Sequence, residues 1–167
     1  MERSEAERVC AYVGLGSNLK TPLEQIKKAR SAIISARGIN EIGFSSLYRS
    51  APMGPQNQPD YINAVMAVNT QLSANELLSL LQAIENEQGR VRNGERWGAR
   101  TLDLDLLIYS NEIIQTLELT VPHPGIPDRA FVLYPLFELN SQLQIPGMGN
   151  IADLIEKCPS ENLTRLQ

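Results

Sequence analysis

One segment of the chain alternates between apolar and acidic side chains, and it restricts the fold more than any other. Every second position in residues 101–109 is apolar, and these positions are Leu102, Leu104, Leu106 and Ile108. Asp103 and Asp105 fall between them. Because successive side chains of a β-strand point to opposite faces, the segment predicts a strand with its leucines and isoleucine on the buried face and both carboxylates on the other.

The two aspartates have the spacing of a cation site. Side chains two residues apart on one face of a strand are about 7 Å apart, so Asp103 and Asp105 could each hold a divalent cation or share a pair of them. Magnesium takes oxygen ligands and is commonly completed by water and substrate phosphates. Two aspartates therefore suffice for magnesium if the substrate carries phosphate.

The segment just before this strand, residues 89–100, is rich in arginine and glycine. It contains four arginines and the one tryptophan of the chain. A guanidinium is always charged and meets phosphate oxygens through a planar fork, and glycine allows the backbone to move. The segment predicts a mobile loop that closes over a phosphorylated ligand.

Three motifs of this region resemble the signature of the 6-hydroxymethyl-7,8-dihydropterin pyrophosphokinase family. They are Arg90-Val91-Arg92, Glu95-Arg96-Trp97-Gly98 and Arg100-Thr101-Leu102-Asp103-Leu104-Asp105. Members of that family transfer a pyrophosphoryl group from ATP to a pterin alcohol in the folate pathway. The resemblance covers about residues 12–138, and it implies ATP and the pterin as substrates and two Mg²⁺ ions on Asp103 and Asp105.

The order of predicted elements indicates the fold class. A strand over residues 9–15 ends in a tight turn at the Gly14-Leu15-Gly16-Ser17-Asn18 motif, and strands follow at residues 42–48, 61–68 and 101–109. Capping boxes predict two helices, one starting at Thr21-Pro22-Leu23-Glu24 and one at Ser73-Ala74-Asn75-Glu76. The order predicts an α+β, ferredoxin-like βαββαβ sandwich, mainly antiparallel, with C-terminal additions. Right-handed crossovers place the first and fourth strands side by side, with the Gly-Ser-Asn motif near the aspartates.

The candidate pterin site starts from Tyr61 and Asn63, which share one face of the third strand. A pterin is a flat heteroaromatic ring with an amide-like edge, so it needs an aromatic ring to stack on and a carboxamide to bond. The resemblance assigns these roles to Tyr61 and Asn63 and adds Phe131 on the opposite ring face. It also adds Met53, in the ten-residue loop at residues 51–60, and Trp97.

The candidate ATP site and the catalytic groups are likewise implied by the resemblance. The ATP-binding positions are Gln82, Glu85, Arg92, Trp97, Arg100, Leu106, Thr120, His123 and Arg129. The catalytic positions are Arg90, Arg92, Arg100, Asp103 and Asp105. The chain departs from the family pattern at Glu118, where a basic residue is common, and at Pro124, where an aromatic is common, so neither is assigned a role.

Composition excludes several other functions. The net charge is −4, which disfavours nucleic-acid binding, and a single histidine excludes a zinc site built from several histidines. Two cysteines, Cys10 and Cys158, suit a reducing compartment. Neither a long apolar run nor an apolar signal core occurs. We expect one domain over residues 1–167, cytoplasmic and monomeric, that binds no nucleic acid and no membrane.

Two alternatives of other classes stay open at this point. The first is a ferredoxin-like RNA-binding module, which would need exposed aromatics on its sheet and usually a basic face. The second is a sensor that binds ATP or pterin without chemistry. Formation of AMP separates the enzyme from the sensor, and a competitive gel shift tests for RNA binding.

Overall fold

The computed structural model describes residues 8–18, 21–51, 60–89, 102–160 and 162–166. The helices within these residues are α1 (Pro22–Ile34), α2 (Ala74–Gly89), α3 (Ala130–Leu139) and α4 (Ile151–Glu156). The strands are β1 (Val9–Ser17), β2 (Ile39–Phe44), β3 (Tyr48–Ser50), β4 (Tyr61–Thr70), β5 (Asp103–Tyr109), β6 (Ile114–Gln115), β7 (Thr120–Val121), β8 (Gln144–Ile145), β9 (Gly149–Asn150) and β10 (Leu163–Arg165). The fold is α+β, as predicted.

The main sheet has the order β10-β3-β4-β1-β5, and β2 also pairs with β4. Its strand pairings are all antiparallel in the described part of the chain. The predicted first and fourth strands are β1 and β5, and they are neighbours, which confirms that prediction. In their register Gly14 is opposite Asp105 and Gly16 is opposite Asp103.

Both faces of the sheet are covered by helices. On one face, α1 and α2 contribute Ile26, Ile33, Leu77 and Leu81 to a core that also contains Val13 and Met66 of the sheet. On the other face, α3 and α4 contribute Val132, Leu133, Leu136 and Ile151 to a second core with Tyr12 and Val65. Strand β4 is buried over most of its length because it packs against both cores.

The alternation predicted for β5 is correct up to Leu106 and wrong at Ile108. Leu102, Leu104 and Leu106 belong to the core under α1 and α2, but Ile108 belongs to the core under α3. The cause is a β-bulge, since Tyr12 is opposite Ile108 and Val13 is opposite Leu106. Leu107 is the extra residue. After an extra residue, each later side chain of the strand points to the opposite face of the sheet from the one that simple alternation predicts.

One of the two predicted capping boxes forms. The Ser73 amide donates to Glu76 Oε1 at 2.8 Å, and Ser73 Oγ accepts the Glu76 amide at 3.1 Å. At the start of α1, Thr21 has a left-handed backbone, with φ of 50°, and its side chain makes no capping hydrogen bond. A capping hydroxyl reaches the first-turn amides from an extended backbone, so the Thr21 prediction is wrong.

The segment predicted as a single second strand is two strands, β2 and β3, joined by residues 45–47. At the break, Ser45 Oγ accepts the Val65 amide at 2.9 Å, and the Ser45 amide donates to the Val65 carbonyl. The Ser45 hydroxyl thus takes the place of a backbone carbonyl in the β-ladder. The alternation of apolar and polar residues in the sequence does not reveal such a break. Among the described helices, none is both long and apolar enough to cross a membrane.

Candidate functional site

A cavity of about 350 Å³ lies between the sheet and the N-terminal end of α3. It opens on the face that carries Asp103 and Asp105. The residues around it come from the sheet and from α3 with the residue before it: Gly14, Leu15, Gly16, Ser50, Ala51, Tyr61, Asn63, Ala64, Asp103, Asp105, Arg129, Phe131 and Val132. Four strands and one helix therefore converge on a space large enough for a small aromatic ligand.

The floor of the cavity is formed by Gly14 and Gly16, for which the sequence predicts a turn at the end of the first strand. Gly14 and Gly16 instead lie within β1, so that prediction is wrong. A Cβ on Gly16 would stand 3.0 Å from Asn63 Oδ1, whereas a Cβ on Gly14 would stand 3.4 Å from a methyl group of Leu107. Because glycine has no side chain, the backbone of β1 faces the cavity directly at these two positions. Close approach of another group to the backbone is a known reason for glycine inside a strand.

Both aspartates of β5 point into the cavity and are half-buried. Each stands across the β1–β5 ladder from a glycine, so no side chain of β1 separates them from the open space. In the described part of the chain, no three histidine, cysteine or acidic side chains converge to form a metal site. Two carboxylates on one strand face nevertheless match the donor set of a magnesium ion that is completed by water and phosphate.

The three described residues assigned to the pterin meet in this cavity, because Tyr61, Asn63 and Phe131 all line it. Asn63 is buried, with 5% of its surface exposed, and its Nδ2 donates to Ser50 Oγ at 2.8 Å. That bond directs the carbonyl oxygen of the amide toward Gly16. The side chain therefore presents a hydrogen-bond acceptor to the cavity.

Arg129 and His123 lie close enough to interact electrostatically, and His123 also interacts with Asp105. The Arg129 guanidinium lines the cavity and lies 5.8 Å from the centre of the Phe131 ring. Burial lowers the pKa of His123 below its usual value, the Asp105 carboxylate opposes this, and Arg129 adds to the lowering. Nδ1 of His123 accepts the Gly125 amide at 2.9 Å, so the proton of the neutral ring is on Nε2.

Five described residues assigned to ATP do not line the cavity, and His123 is one of them. Gln82 is exposed on α2, and Thr120 is exposed on β7. The Leu106 side chain is 3% exposed and belongs to the core under α1 and α2, which leaves only its backbone for a ligand. Glu85 accepts the amide of Leu104 at 2.7 Å through Oε2.

The remaining predicted site residues lie outside the described part of the chain. They are Met53, Arg90, Arg92, Trp97 and Arg100. Their roles stay predictions.

Sequence reasoning missed seven of the lining residues, which are Gly14, Leu15, Gly16, Ser50, Ala51, Ala64 and Val132. Tyr48 and Ser50 alternate as buried positions of β3, and the β3–β4 register places Ser50 opposite Tyr61 and diagonal to Asn63. The local sequence carries no comparable signal for Gly14 and Gly16. Glycine is common in turns, and only the pairing of β1 with both β4 and β5 shows that these glycines belong to a strand.

Comparison with known proteins gives a consistent result. A family model described as 7,8-dihydro-6-hydroxymethylpterin-pyrophosphokinase (HPPK) matches residues 12–141. The chain is 49% identical over 158 residues to the 2-amino-4-hydroxy-6-hydroxymethyldihydropteridine pyrophosphokinase of Haemophilus influenzae, a match that covers 95% of this chain and 98% of that protein. The Pseudomonas aeruginosa protein of the same name is 46% identical over 155 residues, covering 93% of this chain and 95% of that protein.

Solved structures with a similar fold include Plasmodium falciparum HPPK-DHPS, wild type with pterin and p-hydroxybenzoate. That match has a TM-score of 0.73 at 13% identity and covers 95% of this chain and 46% of that one. A crystal structure of HPPK-DHPS in complex with substrates also has a TM-score of 0.73, at 12% identity, and covers 95% and 46% of the two chains. This chain spans about half the length of those structures. At such identities the likeness shows the fold alone.

Proposed function

The chain belongs to the 7,8-dihydro-6-hydroxymethylpterin-pyrophosphokinase family, and on that premise we propose that the cavity under α3 binds the pterin while Asp103 and Asp105 face the ATP polyphosphate. As a member of this family the chain is a transferase of folate biosynthesis. It transfers pyrophosphate from ATP to the hydroxymethyl group of 6-hydroxymethyl-7,8-dihydropterin and releases AMP.

One observation carries the assignment of the site. Tyr61, Asn63, Phe131 and the two aspartates come from three separate parts of the sequence, and all of them line one cavity. A stacked pterin would lie between Tyr61 and Phe131, because flat rings pack well on aromatic faces. Asn63 would accept a hydrogen bond from the amino or ring N–H edge of the pterin through Oδ1, while one of its two N–H groups bonds Ser50.

The acidic edge of the cavity fits Mg²⁺, and we assign Asp103 and Asp105 as the residues that would hold two ions. When bound, magnesium neutralises charge on the polyphosphate. The aspartates are suited to this because they are half-buried beside a floor of glycine backbone. This arrangement supports a phosphorylated substrate next to the pterin cavity.

The chemistry is a displacement at phosphorus. The hydroxymethyl oxygen of the pterin forms a bond to the β-phosphorus and releases its proton to water, the bond from that phosphorus to the oxygen bridging to the α-phosphate breaks, and AMP leaves. Such transfers rely mainly on alignment and charge stabilisation. Among the described residues, Arg129 would contact the phosphates from its place on the cavity wall.

We assign the other arginines by the resemblance of their motifs. Arg90, Arg92 and Arg100 would grip the transferred group, and closure of Trp97 over the site would exclude water. Met53 would contact the pterin from its loop. Gln82, Thr120, His123 and the backbone at Leu106 would contact the nucleotide.

We also propose that the fold is ferredoxin-like and that residues 1–167 form a single domain. The antiparallel order β2-β4-β1-β5, with α1 and α2 on one face, supports the first. The match of the family model across residues 12–141 supports the second. A monomeric, cytoplasmic protein that binds neither nucleic acid nor membrane stays a prediction.

The RNA-binding alternative is not favoured. Such a module stacks bases on an open sheet face, but here α3 and α4 cover one face and α1 and α2 cover the other. The aromatic residues Tyr61 and Phe131 face a cavity of limited volume. The geometry suits one small ring better than a nucleic-acid strand.

The experiment that tests the function combines purified protein, MgCl₂, ATP and 6-hydroxymethyl-7,8-dihydropterin and measures AMP by chromatography. We expect AMP and the pterin pyrophosphate in equal amounts, with neither product when the pterin or MgCl₂ is omitted. Binding of ATP or pterin without AMP would instead identify a sensor. The same reaction with an Asp105→Asn variant tests whether the assigned site performs the chemistry.

A further inference from the structure

Glu85 forms a hydrogen bond that bears directly on the two aspartates. Its Oε2 accepts the backbone amide of Leu104 at 2.7 Å, and Leu104 is the residue between Asp103 and Asp105. In an antiparallel ladder, alternate residues direct their amides away from the neighbouring strand. Since β5 is the last strand of the sheet on this side, the Leu104 amide is an outer-edge donor, and a side chain of α2 supplies its acceptor.

From this geometry we propose that Glu85 is a positioning residue, which acts through the Leu104 amide to hold Asp103 and Asp105 at the spacing that binds Mg²⁺. The inference rests on the proposed metal role of the two aspartates. Ladder bonds to β1 secure one edge of β5, and Glu85 secures the other edge at the residue between the carboxylates. A hydrogen bond to an ionised acceptor is stronger than one between neutral groups.

The helix that carries Glu85 is well anchored. Leu81 and Ile84 are buried in the core under α1 and α2, and the Ser73–Glu76 capping box secures the other end of α2. The carboxylate therefore approaches β5 from a rigid support. This is the arrangement by which outer groups orient metal ligands.

A positioning role also fits the charge of Glu85 better than direct contact with the polyphosphate. The resemblance places this residue in the ATP site, but a carboxylate repels phosphate oxygens at close range. A hydrogen bond to the backbone lets the same carboxylate sit beside the site without facing the phosphates. The two roles can be told apart by measurement. Loss of a positioning residue lowers the affinity for the metal, whereas loss of a direct contact lowers the affinity for the nucleotide.

The test compares Glu85→Ala with Glu85→Gln, which keeps an acceptor oxygen, and uses Glu87→Ala as the matched control on an exposed position of the same helix. The first readout is hydrogen exchange at the Leu104 amide, measured by NMR on the whole protein. We expect exchange in E85A to be at least about 10-fold faster than in the wild type, and E85Q and E87A to stay near it. Unchanged exchange in E85A would overturn the proposed contact.

The second readout is metal dependence. The concentration of MgCl₂ that half-saturates AMP formation should rise about 10-fold or more in E85A and be largely restored in E85Q, with the KM for the pterin nearly constant. Faster exchange with an unchanged MgCl₂ requirement would make the contact merely structural and overturn the proposal. A rise in the KM for ATP alone would identify a nucleotide contact and overturn it as well.

A third measurement separates this inference from the proposed function. Binding of Mn²⁺ to the protein in the presence of a non-hydrolysable ATP analogue, followed by electron paramagnetic resonance, needs no turnover. Weaker Mn²⁺ binding in E85A than in E85Q supports the positioning role even if the wild type forms no AMP, and equal binding overturns it. If E85A does not fold, Glu85→Asp, which shortens the side chain by one methylene, replaces it in all three measurements.

Discussion

Gly16 of β1 and Asn63 of β4 stand opposite each other, and a Cβ on Gly16 would lie 3.0 Å from Asn63 Oδ1. That distance is shorter than an ordinary carbon–oxygen contact, so a methyl group at this position would displace the amide. The neighbouring glycine of the same strand differs, because a Cβ on Gly14 would meet the flexible end of Leu107 at 3.4 Å. Both glycines line the cavity, and they differ in what an added Cβ would meet, which is the ligand-facing amide of Asn63 at Gly16 and a methyl group of Leu107 at Gly14.

We expect Gly16→Ala to weaken pterin binding by about 10-fold or more, since a misplaced hydrogen-bonding group in a buried site costs about 1–3 kcal/mol. Gly14→Ala should weaken pterin binding less than Gly16→Ala does, because its Cβ would meet a leucine methyl rather than the amide that bonds the pterin. Calorimetric titration with the pterin in the presence of an ATP analogue measures both. Equal losses in the two variants would show that Asn63 is not the affected group.

The hydrogen bond from Asn63 to Ser50 gives a second prediction. Ser50→Ala removes the acceptor of a buried amide, so we expect the free energy of unfolding to fall by about 1–3 kcal/mol and the pterin KM to rise. Ser50→Thr keeps the hydroxyl and should retain most of both properties. Urea unfolding and steady-state kinetics are the measurements, and a Ser50→Ala variant with wild-type stability and KM would contradict the assigned orientation of Asn63.

The third prediction concerns the acidic edge of the cavity. Asp105→Asn should reduce turnover by at least about a hundredfold, because one charge-stabilising group is lost where the polyphosphate reacts. Its fold should persist, since Asp105 is half-buried beside an open space. The matched control is Asp153→Asn on the exposed side of α4. AMP formation by Asp105→Asn at the rate of the control would remove Asp105 from the site.

Glu138 on α3 gives a prediction for pH. Its carboxylate accepts the Tyr48 hydroxyl at 2.8 Å and the Ser46 hydroxyl at 2.8 Å, and it lies 3.5 Å from Arg165. Burial alone would raise the pKa of Glu138, but the bonds from Tyr48 and Ser46, together with Arg165, outweigh burial and lower this pKa below its usual value. A carboxylate with a depressed folded pKa stabilises the protein above its unfolded pKa of about 4.3, and this stabilisation is lost as the pH falls through the folded value.

We therefore expect Glu138→Gln to be less stable than the wild type at neutral pH, by about 1 kcal/mol or less because the group is partly exposed. The difference should shrink as the pH falls below about 4. Tyr48→Phe keeps the carboxylate and removes one donor, so it should show the same trend with a smaller amplitude. Thermal unfolding from neutral pH to about pH 3 measures this, and a difference that stays constant over the range would rule out the linkage.

The local sequence pattern predicted two structural features correctly, which are the common face of the two aspartates and one helix cap. The alternation around Asp103 and Asp105 predicted their common face correctly, because two-residue periodicity is a property of the strand alone. The Ser73 capping box was equally local and is present in the structure. The same reasoning failed at Thr21, where a left-handed backbone replaces the cap, and at Ile108, where a bulge exchanges the faces.

The sequence alone determined which chemical groups are available. They are two carboxylates on one face of β5, an aromatic ring and an amide on one face of β4, and the arginines that precede β5 in the sequence. What only the tertiary structure decided is where these groups meet. Gly14 and Gly16 form a cavity floor only because β1 pairs with β4 on one side and β5 on the other, and Phe131 becomes a cavity wall only because α3 packs over that floor. Pairing and packing join residues far apart in the chain, and their energies depend on contacts that no local window of sequence contains.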